Sequence, residues 1–114
     1  IPMELYIVSH THDAVFRSLS DPTRRALFER LCLDGEKTVA ALTEYAGVSQ
    51  PAVSKHLGIL KQAGLVSGRQ SGRQTHYAAQ VEALAPLADW TQRMSRFWDV
   101  KLDGIEDLLK RMDQ

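Results

Sequence analysis

Cysteine is nearly absent from this chain: one, Cys32, in 114 residues. A single thiol excludes an internal disulfide, and with four scattered histidines it cannot assemble a cysteine-rich structural zinc site. No apolar run approaches the roughly 20 residues that a membrane-spanning helix needs, so no membrane partner is expected. The opening residues, Ile1 to His12, lack a basic stretch followed by a long apolar one. No secretory leader is therefore expected, and a reducing cytoplasm is the expected compartment. Also missing are a glycine-rich phosphate loop, a metal triad and a nucleophile–base pair. Ser54 and His56 stand two apart on an expected helix and so point to different sides. The chain does not read as an enzyme, and no cofactor or metal is expected. His10 and His12, near the start, read as solvated side chains.

The most informative absence is of acid from one third of the chain. Residues 45–81 contain no Asp or Glu, yet carry Lys55, Lys61, Arg69 and Arg73. The flanking segments, 1–44 and 82–114, each carry seven acidic and five basic side chains. A net charge of zero thus conceals a cationic middle between acidic ends. Binding to phosphate depends on such local potential more than on the overall balance. The plainer alternative is a simply solvated face.

What is present is ordinary globular material, 44% hydrophobic and 25% charged, enough for one domain over residues 1–114. Val15, Phe16 and Leu19 suggest a short helix ending near Ser20. Asp21-Pro22 reads as a cap and a first helical position, Ala26, Leu27, Phe28 and Leu31 give an apolar face, and Gly35 is the stop. Thr38 can cap a helix over Val39 to Ala46, and Ser49 another that runs to about Ala63, with Gly47 in the turn between them. Leu65-Val66 and Thr75 to Ala78 read as short strands flanking a polar, glycine-containing loop over residues 67–74. Helical period returns after Val81. Cys32, between Leu31 and Leu33, reads as a buried core cysteine acting as a small hydrophobe, with oxidation sensing as the alternative.

Two short helices joined by Ala46-Gly47-Val48-Ser49 suit a helix-turn-helix. Val53, Leu57 and Leu60 would face inward from the second helix. Gln50, Ala52, Ser54, Lys55, His56 and Lys61 would be left toward solvent or its flanks, with Ser49, Gln50 and Ser54 at its N-terminal end. Gln pairs bidentately with adenine, Ser with several bases and Lys with guanine or phosphate, so these side chains suit base edges and backbone. The hairpin that follows would carry Arg69 and Arg73 to a neighbouring phosphate backbone or minor groove. A polar cap on an ordinary helical hairpin is the competing explanation of the first feature, and a plain surface hairpin that of the second.

Asp21-Pro22-Thr23-Arg24-Arg25, then Val48 to Leu57, then Leu60-Lys61-Gln62-Ala63-Gly64-Leu65-Val66, and Gly72-Arg73 through His76-Tyr77 resemble ArsR-type winged-helix transcriptional regulators over about residues 13–80. The resemblance implies a mainly α fold with a small β-hairpin wing. It also implies a homodimeric repressor that binds double-stranded DNA at a pseudo-palindromic operator and releases it on a signal. Ser49, Gln50, Ser54 and His56 fall on the family's recognition-helix positions, and Arg69 and Arg73 on its wing. Where metal-sensing members carry a cysteine pair, this chain has Thr38 and Ala40, and no histidine follows His76. A metal response through the family's usual sites is therefore not expected.

In the last third, residues 82–114, Leu87, Trp90, Met94 and Phe97, then Trp98, Leu102, Ile105, Leu109 and Met112, recur at three- and four-residue steps. From Leu87 to Met112 a helix would be about 39 Å long at about 1.5 Å per residue. A small winged-helix core cannot cover so much apolar helix, so this stripe is expected to meet a second subunit. Packing on the chain's own first helix is the alternative. Trp90, Met94, Phe97 and Trp98 would line a small-molecule effector pocket between subunits if the stripe is not simply packing. The rival use of the whole fold is a protein-interaction module whose long helix docks a partner; the acid-free third argues against it.

Overall fold

The structure, a computed structural model, describes residues 13–113. Helix α1 occupies residues 13–20 and is followed by α2 (Pro22–Asp34), β1 (Lys37–Thr38), α3 (Val39–Ala46) and α4 (Gln50–Gln62). Then come β2 (Val66–Ser71), β3 (Gln74–Ala79), a 3-10 turn (Val81–Leu84) and α5 (Ala85–Met112). The His10–His12 pair lies outside the described residues.

The starts of α2, α3 and α4 each have a local chemical reason. The Asp21 carboxylate accepts the backbone N–H of Arg24 at 2.9 Å, and Pro22 follows where no donor is needed. Thr38 accepts from Ala41 N at 3.1 Å. Ser49 caps α4 more loosely, at 3.4 Å from Ala52 N. Gly47, with φ 68°, ends α3 in the left-handed region that a side chain would strain.

The two arginines after Asp21-Pro22-Thr23 turn back on α1. Arg24 Nε donates to the Ser18 carbonyl at 2.8 Å, and Arg25 Nη1 to the Leu19 carbonyl at 2.8 Å. Carbonyls at a helix C-terminus have no partner within the helix, and cations there oppose the negative end of its dipole. The run Asp21 to Arg25 is thus a corner that joins two helices, rather than part of a binding surface.

The core gathers one face from each of the first four helices and from the start of β2. Val15 of α1, Leu27, Phe28 and Leu31 of α2, Leu42 of α3, Val53, Leu57 and Leu60 of α4, and Leu65 and Val66 entering β2 are buried together. The inward face expected of α4 is the one observed, and Val53, Leu57 and Leu60 are each 0% exposed.

The sheet has the order β1-β3-β2, all antiparallel. Here the structure departs from expectation. The strands run through residues expected to be loop, so that Ser71 pairs with Gln74 and only Gly72 and Arg73 remain as the turn. Gly72, with φ 62°, supplies the positive φ that a two-residue hairpin turn demands at its first position. Two-residue β1, pairing Lys37 with Tyr77 and Thr38 with His76, is too short to carry a sequence pattern of its own.

One further correction concerns burial. Cys32 is exposed, not a core side chain, because the inward face of α2 is set by Leu27, Phe28 and Leu31 and Cys32 lies off it. Partial burial and the charge of Glu29 push its thiol above the ordinary value of 9.0, which disfavours the reactive thiolate. Helical structure resumes at Val81 as the 3-10 turn, and the last α-helix begins at Ala85 with Pro86 in its first turn. Among the described residues no helix is long and apolar enough to cross a membrane.

The hydrogen bond from Arg24 N, then the charges of Arg24 and His56, hold the Asp21 carboxyl below its ordinary 3.8. Its folded value is depressed, so its stabilisation is present above 3.8 and is lost as pH falls through the folded value. Asp21→Ala is expected to lower Tm at neutral pH. Asp21→Asn, which keeps an acceptor but cannot titrate, is expected to retain most of it. Thermal melts from neutral pH to below 3.8 should show the gap between wild type and Asp21→Asn closing as the solution is acidified. A gap independent of pH would remove the carboxylate from this role.

Candidate nucleic-acid interface

The buried seam of α4 determines where its other side chains can point. At 3.6 residues per turn, Gln50, Ser54 and Lys61 share one flank of the helix. Lys55 lies on the outward crest with Pro51, Gly58 and Gln62, and His56 lies on the opposite flank. Gln50, Ser54, Lys55 and Lys61 are exposed, whereas His56 is half-buried.

Gln50 and Ser54 form one wall of a polar cleft whose other wall is the wing turn, Arg73, Gln74 and Thr75; Thr38, Val39 and Ala40 complete it. Three residues singled out in the sequence, Gln50, Ser54 and Arg73, therefore meet in one place. No acid lines this cleft. Among the described residues no carboxylate lies within 4.0 Å of Lys55, Lys61 or Arg73. Thr38 and Ala40, where the resemblance to metal-sensing regulators would have looked for cysteines, are lining residues of the cleft. Among the described residues no group of three or more His, Cys, Asp or Glu is placed to hold a metal.

The structure separates the remaining candidates. Ser49 spends its oxygen on the α4 cap. His56 is turned toward the start of α2: among the described residues its Nδ1 is buried without a hydrogen-bond partner, and its charge is felt at the Asp21 carboxyl that caps α2. Arg69 stands on the outer face of the wing. A Cβ on Gly68 would meet the Tyr77 ring at 3.2 Å, and Tyr77 packs against the core, so the Gly68 side of β2 faces inward. Arg69, one residue later and in register with His76, faces outward. There its Nε donates to Glu36 Oε1 at 3.0 Å, and its Nη2 lies 2.9 Å from the same oxygen.

Sequence reasoning missed Thr38, Gln74 and Thr75 as cleft residues. Thr38 was legible as a helix cap, Gln74 as part of the polar loop and Thr75 as strand. It also passed over Gly58, on the outward crest of α4. A helix-interior glycine is unfavourable by about 1 kcal/mol relative to alanine, and a Cβ here would meet nothing within 4 Å. Gly58→Ala is expected to raise stability by about 0.5–1 kcal/mol in urea denaturation. A decrease would mean that the open space at Gly58 is filled in the folded protein.

The stripe of α5 is uncovered in the single chain. No residue of this 28-residue helix is buried. Leu87 is half-buried, and Trp90, Met94, Phe97, Trp98, Leu102, Ile105 and Leu109 are exposed, Trp98 by 60%. Among the described residues, an aromatic contact ties it to α1, Phe16 against Trp90, edge to face at 5.7 Å.

Comparison with known proteins agrees with this architecture. Residues 21–67 match the model of a family described as bacterial regulatory protein, arsR family. The chain is 36% identical over 76 residues to the transcriptional repressor SdpR of Bacillus subtilis, an alignment covering 67% of this chain and 83% of that one. It is 39% identical over 97 residues to the HTH-type transcriptional regulator Rv2034 of Mycobacterium tuberculosis, covering 85% and 87%. A probable mercury resistance operon repressor of Streptomyces lividans is 44% identical over 72 residues, but the match spans only 57% of its length. Among solved structures, an ArsR-like transcriptional regulator from Rhodococcus superposes with a TM-score of 0.69 at 30% identity, covering 89% of this chain and 94% of that one. The homodimeric winged helix-turn-helix DNA-binding domain Mb0332 of Mycobacterium bovis shares the fold, with a TM-score of 0.67 at 24% identity. With its helix-turn-helix, its short-turned wing and these relatives, the chain belongs to the ArsR family of bacterial regulatory proteins.

Proposed function

We propose that this protein is a sequence-specific DNA-binding repressor that acts in the cytoplasm as a homodimer on a pseudo-palindromic operator. The observation that carries the proposal is the acid-free cleft in which Gln50 and Ser54 of α4 face Arg73 of the wing turn. With α4 in a major groove, Gln50 and Ser54 read base edges, and Lys55 and Lys61 meet the groove wall. Arg73 grips the phosphate strand that borders the groove, with the hydroxyls of Thr38 and Thr75 beside it. His56 acts behind α4, against α2, rather than on the DNA.

The apolar row of α5 supports the dimer. A second copy covers Trp98, Leu102, Ile105 and Leu109, and a twofold axis then sets two recognition helices roughly 34–36 Å apart, about one turn of DNA. Residues 82–114 serve as the dimer element of a single winged-helix unit.

Fluorescence anisotropy on the DNA upstream of the protein's own gene, across a salt series, tests the DNA contacts. Arg73→Gln is expected to weaken binding to all sequences alike and to reduce the salt slope by about 1. Gln50→Ala and Ser54→Ala are expected to relax preference at particular base pairs by about 1–3 kcal/mol with the slope unchanged. If the two classes behave alike, the roles are wrongly assigned. Weak binding that is equal on operator and scrambled DNA, even at low salt, overturns the proposal.

Ile105→Glu tests the dimer separately. Ile105 is 53% exposed in the single chain, so the substitution is expected to leave the monomer folded. Light scattering should then report the monomer mass of 12.8 kDa where the parent gives twice that value. A dimer that survives Ile105→Glu places the interface elsewhere.

A further inference from the structure

We infer that Glu36 is an internal counter-charge that holds Arg69 off the DNA, and so sets how tightly the protein grips any duplex. This rests on the DNA-binding function proposed above. Glu36 enters from outside the acid-free segment: it precedes β1, 33 residues before Arg69 in the chain. The sheet order β1-β3-β2 brings the two together, with Arg69 reaching over β3 past His76 to the far edge. Among the described residues, Glu36 is the one carboxylate within 4.0 Å of any Lys or Arg in residues 45–81.

Local charge balance does not call for this pair. Arg30 and Lys37, the nearby cations of α2 and β1, both lie on Asp34, at 3.3 and 3.8 Å. Sheet stability does not call for it either, since backbone hydrogen bonds already join all three strands. The side chains are 61% and 39% exposed, and ion pairs this open contribute little to stability. What the pair does change is the charge offered by the wing. With Arg69 neutralised, Arg73 is the cation of the hairpin that meets no carboxylate among the described residues. A phosphate oxygen accepts from a guanidinium as a carboxylate oxygen does, so Glu36 and the DNA backbone compete for the same N–H groups. The weak pair is an adjustable brake on a contact that carries no sequence information.

A double-mutant cycle of Glu36→Gln and Arg69→Gln, read by anisotropy on operator and scrambled duplex across a salt series, tests this. Both positions are exposed, and thermal melts of the four proteins confirm equal folding. Glu36→Gln is expected to tighten binding about 3- to 10-fold on both duplexes, and to steepen the salt slope by about one as a further phosphate is engaged. In the Arg69→Gln background the same change is expected to give less than half that gain and no change of slope. An equal gain in both backgrounds would mean that Glu36 acts only through its general negative charge, which overturns the inference. No gain, or weaker binding on losing Glu36, overturns it too, the latter by showing that Glu36 poses Arg69 for DNA. If the parent protein binds no duplex at low salt, the DNA-binding proposal itself fails; if it binds and the cycle shows no coupling, the counter-charge alone fails.

Discussion

Val53, Leu57 and Leu60 of α4 are sealed from solvent, and the orientation of every other side chain on that helix follows from their burial. Completely burying an aliphatic side chain contributes roughly 1.5–3 kcal/mol, so rotating the helix about its axis would forfeit several such contributions at once. The helix is locked with Gln50, Ser54 and Lys61 on the wing side and His56 against α2. Leu65 and Val66 continue the same core into β2, so the seam that orients the recognition helix also anchors the base of the wing. Helix and wing are parts of one packed object, which is why Arg73 can stand across a defined cleft from Gln50 rather than on an independent arm.

Charge on this scaffold is arranged by exclusion and by pairing. The cleft is cationic because residues 45–81 contain no acid, not because the protein is basic; its net charge is zero. Outside that segment, acids occupy structural posts. Asp21 caps α2, Asp34 holds Arg30 and Lys37, and Glu36 meets Arg69. The basic side chains divide likewise: Arg24 and Arg25 are committed to the carbonyls at the end of α1, while Arg73, Lys55 and Lys61 meet no carboxylate among the described residues. Counting lysines and arginines would overstate the binding surface by including residues that the fold already uses.

The C-terminal helix presents the opposite situation, an apolar face for which the rest of the chain supplies almost no cover. Among the described residues, beyond the Phe16–Trp90 contact, its large side chains from Trp98 to Met112 stand exposed. Contiguous exposed apolar surface of this kind marks an association site in a soluble protein. The helix-turn-helix core does not need α5 for its own burial, and α5 needs a surface that the core does not provide. Such a division of labour lets binding specificity and assembly vary independently within one small chain.

Much of this was determined by the sequence alone, because the signals were local. Asp21-Pro22, Thr38 and Ser49 are caps that act within three or four residues, and Gly35 and Gly47 are stops; they place α2, α3 and α4 to within about a residue. The inward spacing of Val53, Leu57 and Leu60 is likewise a property of one helix, and the motifs of residues 21–80 carried the family. What depends on residues distant in the chain had to wait for tertiary structure. Cys32 looked like core between two leucines, yet the face of α2 that turns inward is chosen by α1, α3 and α4. Arg69 and Arg73 looked equivalent as loop arginines, but strand register puts them in different surroundings, one paired across the sheet with Glu36, the other in the cleft. Periodicity can say that a side chain leaves a helix or strand on a given face; only the packing of other elements decides what that face meets.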